Sequence, residues 1–416
     1  MRKVCKTIGM LPITEHPELI KRYGVEFESL FTQPSYNHFL NYLTGLITVP
    51  APNVSKISSW IYQGKDQSSL NRLLTKTDWE SSEVTTKRLE LLQKNKKTAW
   101  KNTGAICIDD TFSEKTGKTM EAVGWYKSHT GEKEYILAHN FVYSHYVDHE
   151  AQYPLHNCLY VKAKEITKQK LPKTFKSKIT LAKELVDKAE SAGIPATLYL
   201  FDSWYFAKEL TEHIESYRKN WISISKLNRT VLWNGNNIKL REFVTKTIPW
   251  ESYRRLEVNG KIFWYFTKSV TFKTNGKVRV VSTFEEKDGE LEKYPTVLVT
   301  NRTDWDVTKI IKSYTLRWSI ETFFRDSKQS LGFEDYQLRS IDAVERHLCL
   351  VNLAYSLLEL QRVESRLLTK VANQLTTIGD QARSVGNDIL RSLVLWVYDQ
   401  TKKTKNPEHI YQILLR

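Results

Sequence analysis

The chain has 416 residues, and 41% of them are hydrophobic, with only 16 Gly and 11 Pro. This composition excludes a disordered or fibrous protein, and the length allows two or three domains. Lys and Arg number 62 against 47 Asp and Glu, so the net charge of +15 indicates a polyanionic partner, of which nucleic acid is the commonest.

The cysteines and the apolar segments indicate a reduced, intracellular, soluble protein. Cys5, Cys107, Cys158 and Cys349 lie far apart without a CxxC pair, so neither a zinc site nor a disulfide framework is predicted. Cys107 sits in an apolar run and is expected to be a small core residue. The first 16 residues lack the apolar stretch of a signal peptide, and no window of 18 residues is apolar enough to span a membrane.

The first hundred residues are predicted to be helical and basic. Apolar positions recur with helical spacing in HFLNYLTGLI, SKISSWIYQ, LNRLLTK and VTTKRLELLQK. A basic segment, QKNKKTAWK (93–101), follows. Two interpretations remain open for this region, a DNA-binding module and a helical cap packed on the main domain.

From residue 104 the pattern changes to alternating strands and helices. GAICID and PATLYLFD (195–202) are apolar runs that each end in an acid, and MEAVGWYKS, YILAHNFVYSHYV and WISISK (221–226) also resemble strands. Helices are predicted at 179–193 and directly after the second acid. This order predicts a mixed sheet with helices on its faces. Four histidines in and after the third strand are interpreted as polar surface or loop residues and not as metal ligands: His139, His145, His149 and His156.

Residues 230–303 are predicted to form an antiparallel β insertion, because strand-like runs are separated by turns at NGNN, TNGK and KDGE. Its polar turns and alternating aromatic and basic residues, as in KIFWYFTKSVTFK, predict that it acts on DNA and is not part of the core. Trp250, Trp264 and Tyr265 are candidates either for stacking on a DNA base or for core packing.

YTLRWSIETFFRDSKQSLG (314–332) is predicted to be helical and carries the most unusual side-chain pattern. At 100° per residue, Tyr314, Arg317, Glu321 and Lys328 share a strip about 60° wide. The strip fits a polyanion, but a solvated face with an Arg317–Glu321 ion pair explains it as well. Trp318 lies just beyond the strip, where it could stack on a base or pack as a rim aromatic. A strongly apolar helix and a helical tail after residue 380 follow.

Acids at the ends of two buried strands, together with a later helical Glu, indicate one site. Sites in open α/β sheets form at strand ends, and carboxylates gathered there repel one another. Divalent cations relieve this repulsion, and Mg²⁺ prefers oxygen ligands. Two such ions can activate the attacking oxygen and stabilise the leaving oxygen in a displacement at phosphorus.

These motifs resemble the DDE transposases of bacterial insertion sequences over roughly residues 104–360. The branch signature Tyr-x2-Arg-x3-Glu-x6-Lys is complete as Tyr314, Arg317, Glu321 and Lys328. ICIDDT (106–111) and YLFDSWY (199–205) resemble the family's two acidic strands. The resemblance implies an RNase H-like mixed sheet flanked by helices and interrupted by the β insertion, with helical terminal regions.

The resemblance also implies the roles of individual residues. Asp109, Asp202 and Glu321 would be the catalytic ligands of two Mg²⁺ or Mn²⁺ ions, with Asp110 as the alternate for Asp109. The family pattern of an apolar residue, the ligand, a variable residue and a small hydroxyl favours Asp109. Phosphate contacts are expected from Tyr314, Arg317, Lys328, Lys226 and Arg229, and base stacking from Trp318 and Trp264.

The implied organisation is a helical region (1–100), two parts of the catalytic core (101–229 and 304–365), the insertion (230–303) and a helical C-terminal region (366–416). The implied activity is metal-dependent cleavage of DNA at terminal inverted repeats and strand transfer into target DNA, with a dimer when two ends are paired. The expected location is the bacterial cytoplasm, with the nucleoid. Two alternatives remain, an RNase H-like endonuclease without strand transfer and a non-catalytic transposase-derived DNA-binding protein.

Overall fold

The computed structural model describes residues 12–64, 66–128, 133–368, 377–404 and 406–414. Cys5 and the first 11 residues of the segment tested for a signal peptide lie outside the described residues. In the described part, no helix is long and apolar enough to cross a membrane. The N-terminal region contains a 3₁₀ helix, Val25–Leu30, and five α-helices: α1 Glu18–Gly24, α2 Gln33–Thr48, α3 Val54–Trp60, α4 Gln67–Thr75 and α5 Ser81–Gln93.

These helices share one apolar core with the rest of the protein. Phe39, Leu43 and Leu46 of α2 are fully buried and belong to the same cluster of core residues as the central sheet. Buried polar contacts add to this packing, because the Tyr42 hydroxyl lies 2.8 Å from Nδ1 of His347. The N-terminal helices therefore pack on the main domain as the cap interpretation expects, while DNA binding by them stays a prediction.

The central sheet begins with four antiparallel strands: β1 Ala105–Glu114, β2 Gly124–Lys127, β3 Tyr135–Val147 and β4 Gln152–Tyr160. Three of them match the predicted strands, and Cys107 of β1 is fully buried, as predicted. The strand β4 was not predicted, because Pro154, His156 and Asn157 interrupt its apolar pattern. Hydrogen bonding to β3 forms this strand although its own residues have a low propensity for β structure.

The next elements are α6 Ala163–Gln169, α7 Lys178–Ser191, β5 Leu198–Phe201, α8 Lys208–Ser216 and β6 Asn220–Ile224. Strand β5 pairs in parallel with β1, and β6 pairs in parallel with β5. The resulting order β4-β3-β1-β5-β6 places three antiparallel strands beside two parallel ones. This arrangement confirms the predicted mixed α/β fold of RNase H-like type.

The insertion comprises β7 Thr230–Trp233, β8 Asn236–Lys239, α9 Leu240–Glu242, β9 Arg254–Val258, β10 Lys261–Phe272, β11 Gly276–Lys287, β12 Glu290–Leu291 and β13 Thr296–Thr300. A π-helical turn, Phe243–Thr247, and a 3₁₀ turn, Trp250–Ser252, interrupt the strands, so the all-β prediction is wrong for this stretch. The adjacent residues Phe243 and Val244 are both buried, so this stretch lacks the alternation of buried and exposed residues that marks a half-buried strand.

The insertion is continuous with the core, which differs from the prediction that it acts only on DNA. Strand β13 pairs with β6 on one side and with β11 on the other, so the described strands form one 13-stranded sheet. Val280, Val281 and Val299 are fully buried in the common core. The alternation of apolar and polar residues arises because one face of these strands packs inward.

In the described residues after the insertion there are five helices: α10 Val307–Thr315, α11 Trp318–Ser330, α12 Ile341–Leu368, α13 Ile378–Lys403 and α14 Pro407–Leu414. The continuous helix predicted for 314–332 is wrong, because a tight turn separates α10 from α11. In this turn, the Arg317 amide donates to the Tyr314 carbonyl and the Ser319 amide to the Leu316 carbonyl, both with 3₁₀ spacing. A 3₁₀ turn winds more tightly than an α-helix, so the spacing of 100° per residue does not hold across this turn.

The predicted surface position of the histidines is wrong for two of them. His139 and His145 of β3 are fully buried, because both faces of this strand are covered. Burial lowers the pKa of His139 to about 4 and that of His145 to about 3, so both rings are neutral at physiological pH. Among the described residues, no group of three or more His, Cys, Asp or Glu is arranged to hold a metal ion.

Candidate active site

The two predicted acids lie side by side on neighbouring strands. Ile108 of β1 is in register with Phe201 of β5, so the next residues, Asp109 and Asp202, are brought to adjacent positions. Asp202 follows the end of β5, but the prediction that the first strand ends at Asp109 is wrong, because antiparallel pairing with β3 continues β1 to Glu114. Asp202 is fixed by its own turn, in which Oδ1 accepts hydrogen bonds from the amides of Trp204 (2.8 Å) and Tyr205 (3.3 Å).

Arg317 joins the first acid to the helical Glu. Its Nη1 lies 2.9 Å from Oδ2 of Asp109, and its Nη2 lies 2.5 Å from Oε1 of Glu321. The solvated-face interpretation predicted the Arg317–Glu321 ion pair, and the polyanion interpretation placed both residues on one strip. Neither interpretation included Asp109. The guanidinium is largely buried, with 9% of its side chain exposed, so it neutralises two carboxylates inside the site.

The electrostatics of Asp109 reflect this crowding. Burial and the neighbouring charge of Asp202 raise the pKa of Asp109 to about 7, while the Arg317 guanidinium acts in the opposite direction. Desolvation disfavours the charged form of a carboxyl group, and a like charge nearby adds to that effect. The site therefore holds more negative charge than Arg317 alone balances.

Asp110 points away from this group. Its Oδ2 accepts hydrogen bonds from Lys178 Nζ (2.6 Å) and Asn140 Nδ2 (2.8 Å), and its Oδ1 accepts one from the Tyr205 hydroxyl (3.0 Å). Successive side chains of a strand face opposite sides, so Asp109 and Asp110 enter different environments. Of the two candidates, Asp109 is the one beside Arg317 and Glu321.

The chemistry of the donor set fits a divalent cation with oxygen ligands. Asp109, Asp202 and Glu321 supply only carboxylate oxygens, which suit Mg²⁺ or Mn²⁺ and not a thiophilic metal. The guanidinium of Arg317 lies between two of these three carboxylates. Among the described residues no three acids are arranged to hold a metal ion, and a cation bound by Asp109 and Glu321 would take the place that Arg317 occupies.

The other members of the Tyr-Arg-Glu-Lys signature bind main-chain carbonyls. The Tyr314 hydroxyl is buried and donates to the Phe201 carbonyl at 3.3 Å, at the end of β5. Lys328 Nζ donates to the Phe112 carbonyl (2.6 Å) and pairs with Glu334 (2.7 Å). Within the signature, Arg317 pairs with Glu321 and its guanidinium lies 5.7 Å from the centre of the Tyr314 ring.

Lys115 lies beside Lys328 and is a buried lysine with a perturbed pKa. Its Nζ donates to the Glu334 carbonyl at 2.6 Å and sits 3.4 Å from the centre of the Tyr336 ring. Burial lowers the pKa of Lys115 to about 7; the charges of Glu334 and Asp335 oppose the shift and that of Lys328 adds to it. Between pH 7 and the normal lysine pKa, the unfolded chain binds more protons than the folded one.

Because of Lys115, the free energy of unfolding should consequently increase as the pH rises. The free energy of unfolding of the wild type, measured relative to Lys115→Met by urea titration, is expected to increase by about 2 kcal/mol from pH 7 to pH 9. Lys208→Met, which changes a lysine with 57% of its side chain exposed, is the control and should change nothing. Parallel pH profiles for wild type and Lys115→Met would contradict the shift.

The predicted phosphate-binding residues after β6 occupy different environments. Lys226 is exposed and faces solvent. Arg229 is engaged by the protein itself, because it donates to the Asn275 side chain (2.9 Å) and to the Phe206 carbonyl and stacks over the Phe206 ring. Its contacts therefore join this loop to the turn between β10 and β11.

The two predicted stacking residues differ in their exposure to solvent. Trp318 is 61% exposed at the start of α11, and the Arg317 guanidinium lies 5.7 Å from its ring. Trp264 donates to Glu286 at 2.6 Å and lies 5.5 Å from Trp250, in an aromatic cluster that Tyr253 and Phe284 complete. Trp318 is therefore free to meet a ligand, whereas Trp264 is half-buried within the insertion.

Sequence reasoning missed the residues that hold Asp110. Lys178, Asn140 and Tyr205 surround its carboxylate, and Trp204 caps Asp202 through its amide. The only sequence signal was the lysine-rich segment KQKLPKTFKSK (168–178), which contains five lysines and no acid. These contacts cannot be derived from the spacing of residues, because they join four separate elements.

Comparisons with known proteins differ in what they find. A comparison with curated proteins finds no match. A solved structure similar to the chain is the crystal structure of the NurA nuclease from Sulfolobus solfataricus, at 12% identity and a TM-score of 0.26, covering 69% of this chain and 94% of that chain. The sequence family described as the transposase DDE domain matches residues 100–357, which include Asp109, Asp202 and Glu321. The chain therefore belongs to the DDE transposase family.

Proposed function

We propose that this transposase cleaves phosphodiester bonds at the ends of an insertion sequence and joins the freed 3′-hydroxyl to target DNA. The observation that carries the proposal is the adjacency of Asp109 and Asp202 on parallel strands, together with the ion pairs by which Arg317 joins Asp109 to Glu321. Three carboxylates and one arginine leave the site with a net negative charge, which favours the binding of a cation.

In the proposed mechanism, Asp109, Asp202 and Glu321 would hold Mg²⁺ or Mn²⁺, as two ions. These ions would supply activation of the attacking oxygen and stabilisation of the leaving oxygen. Asp202 is kept in position by the amides of Trp204 and Tyr205. Arg317 exchanges its carboxylate partners for a DNA phosphate, which its planar guanidinium can bind through two hydrogen bonds.

Other residues take supporting roles in this proposal. Lys226 and Trp318 are exposed and are assigned to a phosphate and a base, respectively. Tyr314, Lys328, Arg229 and Trp264 are bound within the protein, and their contacts favour support of the site over direct contact with DNA in this state. The helical region 1–100 is proposed to bind the terminal repeats, and two chains are proposed to pair two ends.

The proposal is tested with a plasmid carrying the DNA that flanks the reading frame. Incubation with Mg²⁺ and a second, target plasmid should produce cut donor ends and joined products, and chelation of the metal should remove both. Cut ends without joined products would leave an endonuclease without strand transfer. No cleavage with normal DNA binding would leave a non-catalytic DNA-binding protein.

Arg317→Ala tests two proposed properties of Arg317, its competition with the metal ion and its binding of a DNA phosphate. Without DNA, the variant is expected to bind Mn²⁺ about tenfold more tightly, because the competing internal cation is gone. With DNA, the slope of log affinity against log salt should fall by about 0.9, the share of one phosphate. Free Mn²⁺ measured by electron paramagnetic resonance gives the first value, and fluorescence anisotropy at several salt concentrations gives the second.

Arg325→Ala is the matched control for this prediction, since Arg325 lies on the same helix and is 59% exposed beside Asp326. It should leave Mn²⁺ affinity unchanged. An Arg317→Ala variant with wild-type Mn²⁺ affinity and salt slope would reduce Arg317 to a structural ion pair.

A further inference from the structure

A second cluster lies directly beside the carboxylates, and it is aromatic and basic. Lys178 Nζ, which is bound to Asp110, lies 5.2 Å from the ring of Trp204, 5.4 Å from that of Tyr160 and 5.5 Å from that of Phe112. We call these residues, together with Phe175, the Lys178 cluster. Phe175 joins it through Tyr160, with ring centres 6.5 Å apart.

Two rings of the Lys178 cluster face solvent. Trp204 is 45% exposed and Phe175 is 47% exposed. The position of Trp204 is tied to the active site, because its amide donates to Asp202 Oδ1 and its ring packs edge-on against Tyr205, which binds Asp110. The Trp204 ring is therefore partly exposed on a residue whose backbone binds one of the proposed ligands.

The segment that carries Phe175 is rich in lysine. Phe175 lies in the α6–α7 connection, where residues 172–176 are all exposed. The segment 168–178 carries five lysines and no acid. Acids from other elements meet some of these lysines, because Lys173 pairs with Glu345, Lys176 with Glu184 and Lys178 with Asp110. The pairs of Lys173 and Lys176 are partly exposed, so they can be exchanged for a phosphate at little cost, whereas the Lys178–Asp110 pair is largely buried.

We infer that the Lys178 cluster is a binding site for an unpaired nucleotide adjacent to the scissile phosphate. Trp204 stacks on the base, and the lysines of 168–178 follow the strand's phosphates toward Phe175. An unpaired base fits because its face is open, whereas the bases of a duplex already stack on one another. The inference rests on the proposed function, since it places the nucleotide beside the proposed reaction centre.

This site is separate from the aromatic cluster of the insertion. Trp250 and Trp264 lie in the 3₁₀ turn and in β10, and their rings pack on each other. Trp204 follows β5, and its ring contacts Tyr205 and Lys178 instead. A base on Trp204 therefore needs no residue of the insertion.

The test measures binding of a fluorescein-labelled 12-nucleotide oligo(dT) to the full chain by anisotropy, in chelator so that no cleavage occurs. Trp204→Ala is expected to bind about tenfold more weakly, since stacking on an aromatic residue contributes on the order of 1–3 kcal/mol per base. Trp204→Phe should restore most of the affinity. A labelled duplex of the same length should lose less than about twofold with Trp204→Ala.

Trp125→Ala is the matched control. Trp125 is 48% exposed on β2, and its neighbour Tyr126 packs on Phe112, so the Trp125 ring points to the other face of the strand. Thermal unfolding of each variant establishes that it is folded. The inference is overturned if Trp204→Ala binds oligo(dT) like the wild type, if Trp125→Ala loses as much, or if the duplex loses as much as the single strand.

A second measurement identifies the contact itself. Oligo(dT) with one 5-iododeoxyuridine should crosslink under ultraviolet light to Trp204 or Phe175, as mass spectrometry of the peptides would show. Crosslinks confined to other aromatic residues would overturn the inference. Its failure and that of the proposed function are distinguishable: plasmid cleavage with no Trp204 effect leaves the function standing, and a Trp204 effect without plasmid cleavage leaves the binding site standing.

Discussion

Replacing Glu321 by Gln is expected to lower Mg²⁺-dependent cleavage by at least about a hundredfold, since a lost ligand charge removes several kcal/mol of transition-state stabilisation. The isostere keeps the size of the side chain and the start of α11, so binding of the DNA ends should change little. The hydrogen bond from Arg317 can still be accepted by the amide oxygen. The measurement is nicking of an end-bearing plasmid, with anisotropy on the same protein for DNA binding.

Glu212→Gln is the matched control for Glu321→Gln. Glu212 pairs with Lys208 one helical turn earlier on α8, at 3.5 Å, so it copies the i,i+4 geometry of the Arg317–Glu321 pair outside the site. Its replacement should leave cleavage at the wild-type level. Substantial cleavage by Glu321→Gln in Mg²⁺ would remove Glu321 from the set of proposed ligands.

Asp109→Asn and Asp110→Asn are expected to have opposite effects on cleavage and stability. Asp109→Asn should abolish cleavage, because it removes a proposed ligand. The pKa of Asp109 is raised to about 7, so the stability linked to its protonated form is present below the unfolded pKa near 4 and is lost as pH rises through 7. At pH 8 the neutral amide should therefore leave the free energy of unfolding equal to or above that of the wild type.

Asp110→Asn should keep substantial cleavage and lose stability. Asp110 pairs with Lys178 where both side chains are largely buried, with 15% and 13% exposed. An amide cannot neutralise that lysine, so unfolding by urea at pH 8 should show a loss of about 1–3 kcal/mol. If Asp110→Asn abolishes cleavage and Asp109→Asn retains it, the metal site lies one residue further along β1.

The sequence by itself determined the parts of the site that depend on local patterns. Apolar runs ending in Asp109 and Asp202 predict buried strands, because only a run of that kind fills a sheet covered on both faces. The helix bearing Glu321 follows from apolar spacing, which reports the face that packs inward. These signals are carried by neighbours in the chain, so they need no knowledge of the fold.

Some local patterns were misleading because their cause lay elsewhere. Polar turns and alternation in the insertion are the same whether a strand forms a separate module or extends the core, and only the pairing of β13 with β6 decided between them. His139 and His145 were placed at the surface by residue type, but both faces of β3 are covered. The helical strip at 314–332 assumed an unbroken helix, whereas the 3₁₀ turn before Trp318 breaks it.

The tertiary structure alone decided which charges meet. Asp109 and Asp110 are adjacent in sequence, yet the first faces Arg317 and the second faces Lys178. Spacing along one helix predicts the Arg317–Glu321 pair, but the bridge from Arg317 to Asp109 spans 208 residues of chain. Contacts of this range depend on the register of β1 with β5 and on the packing of α11 against β1. That register is set by the buried side chains of the whole sheet, which no local pattern of the chain contains.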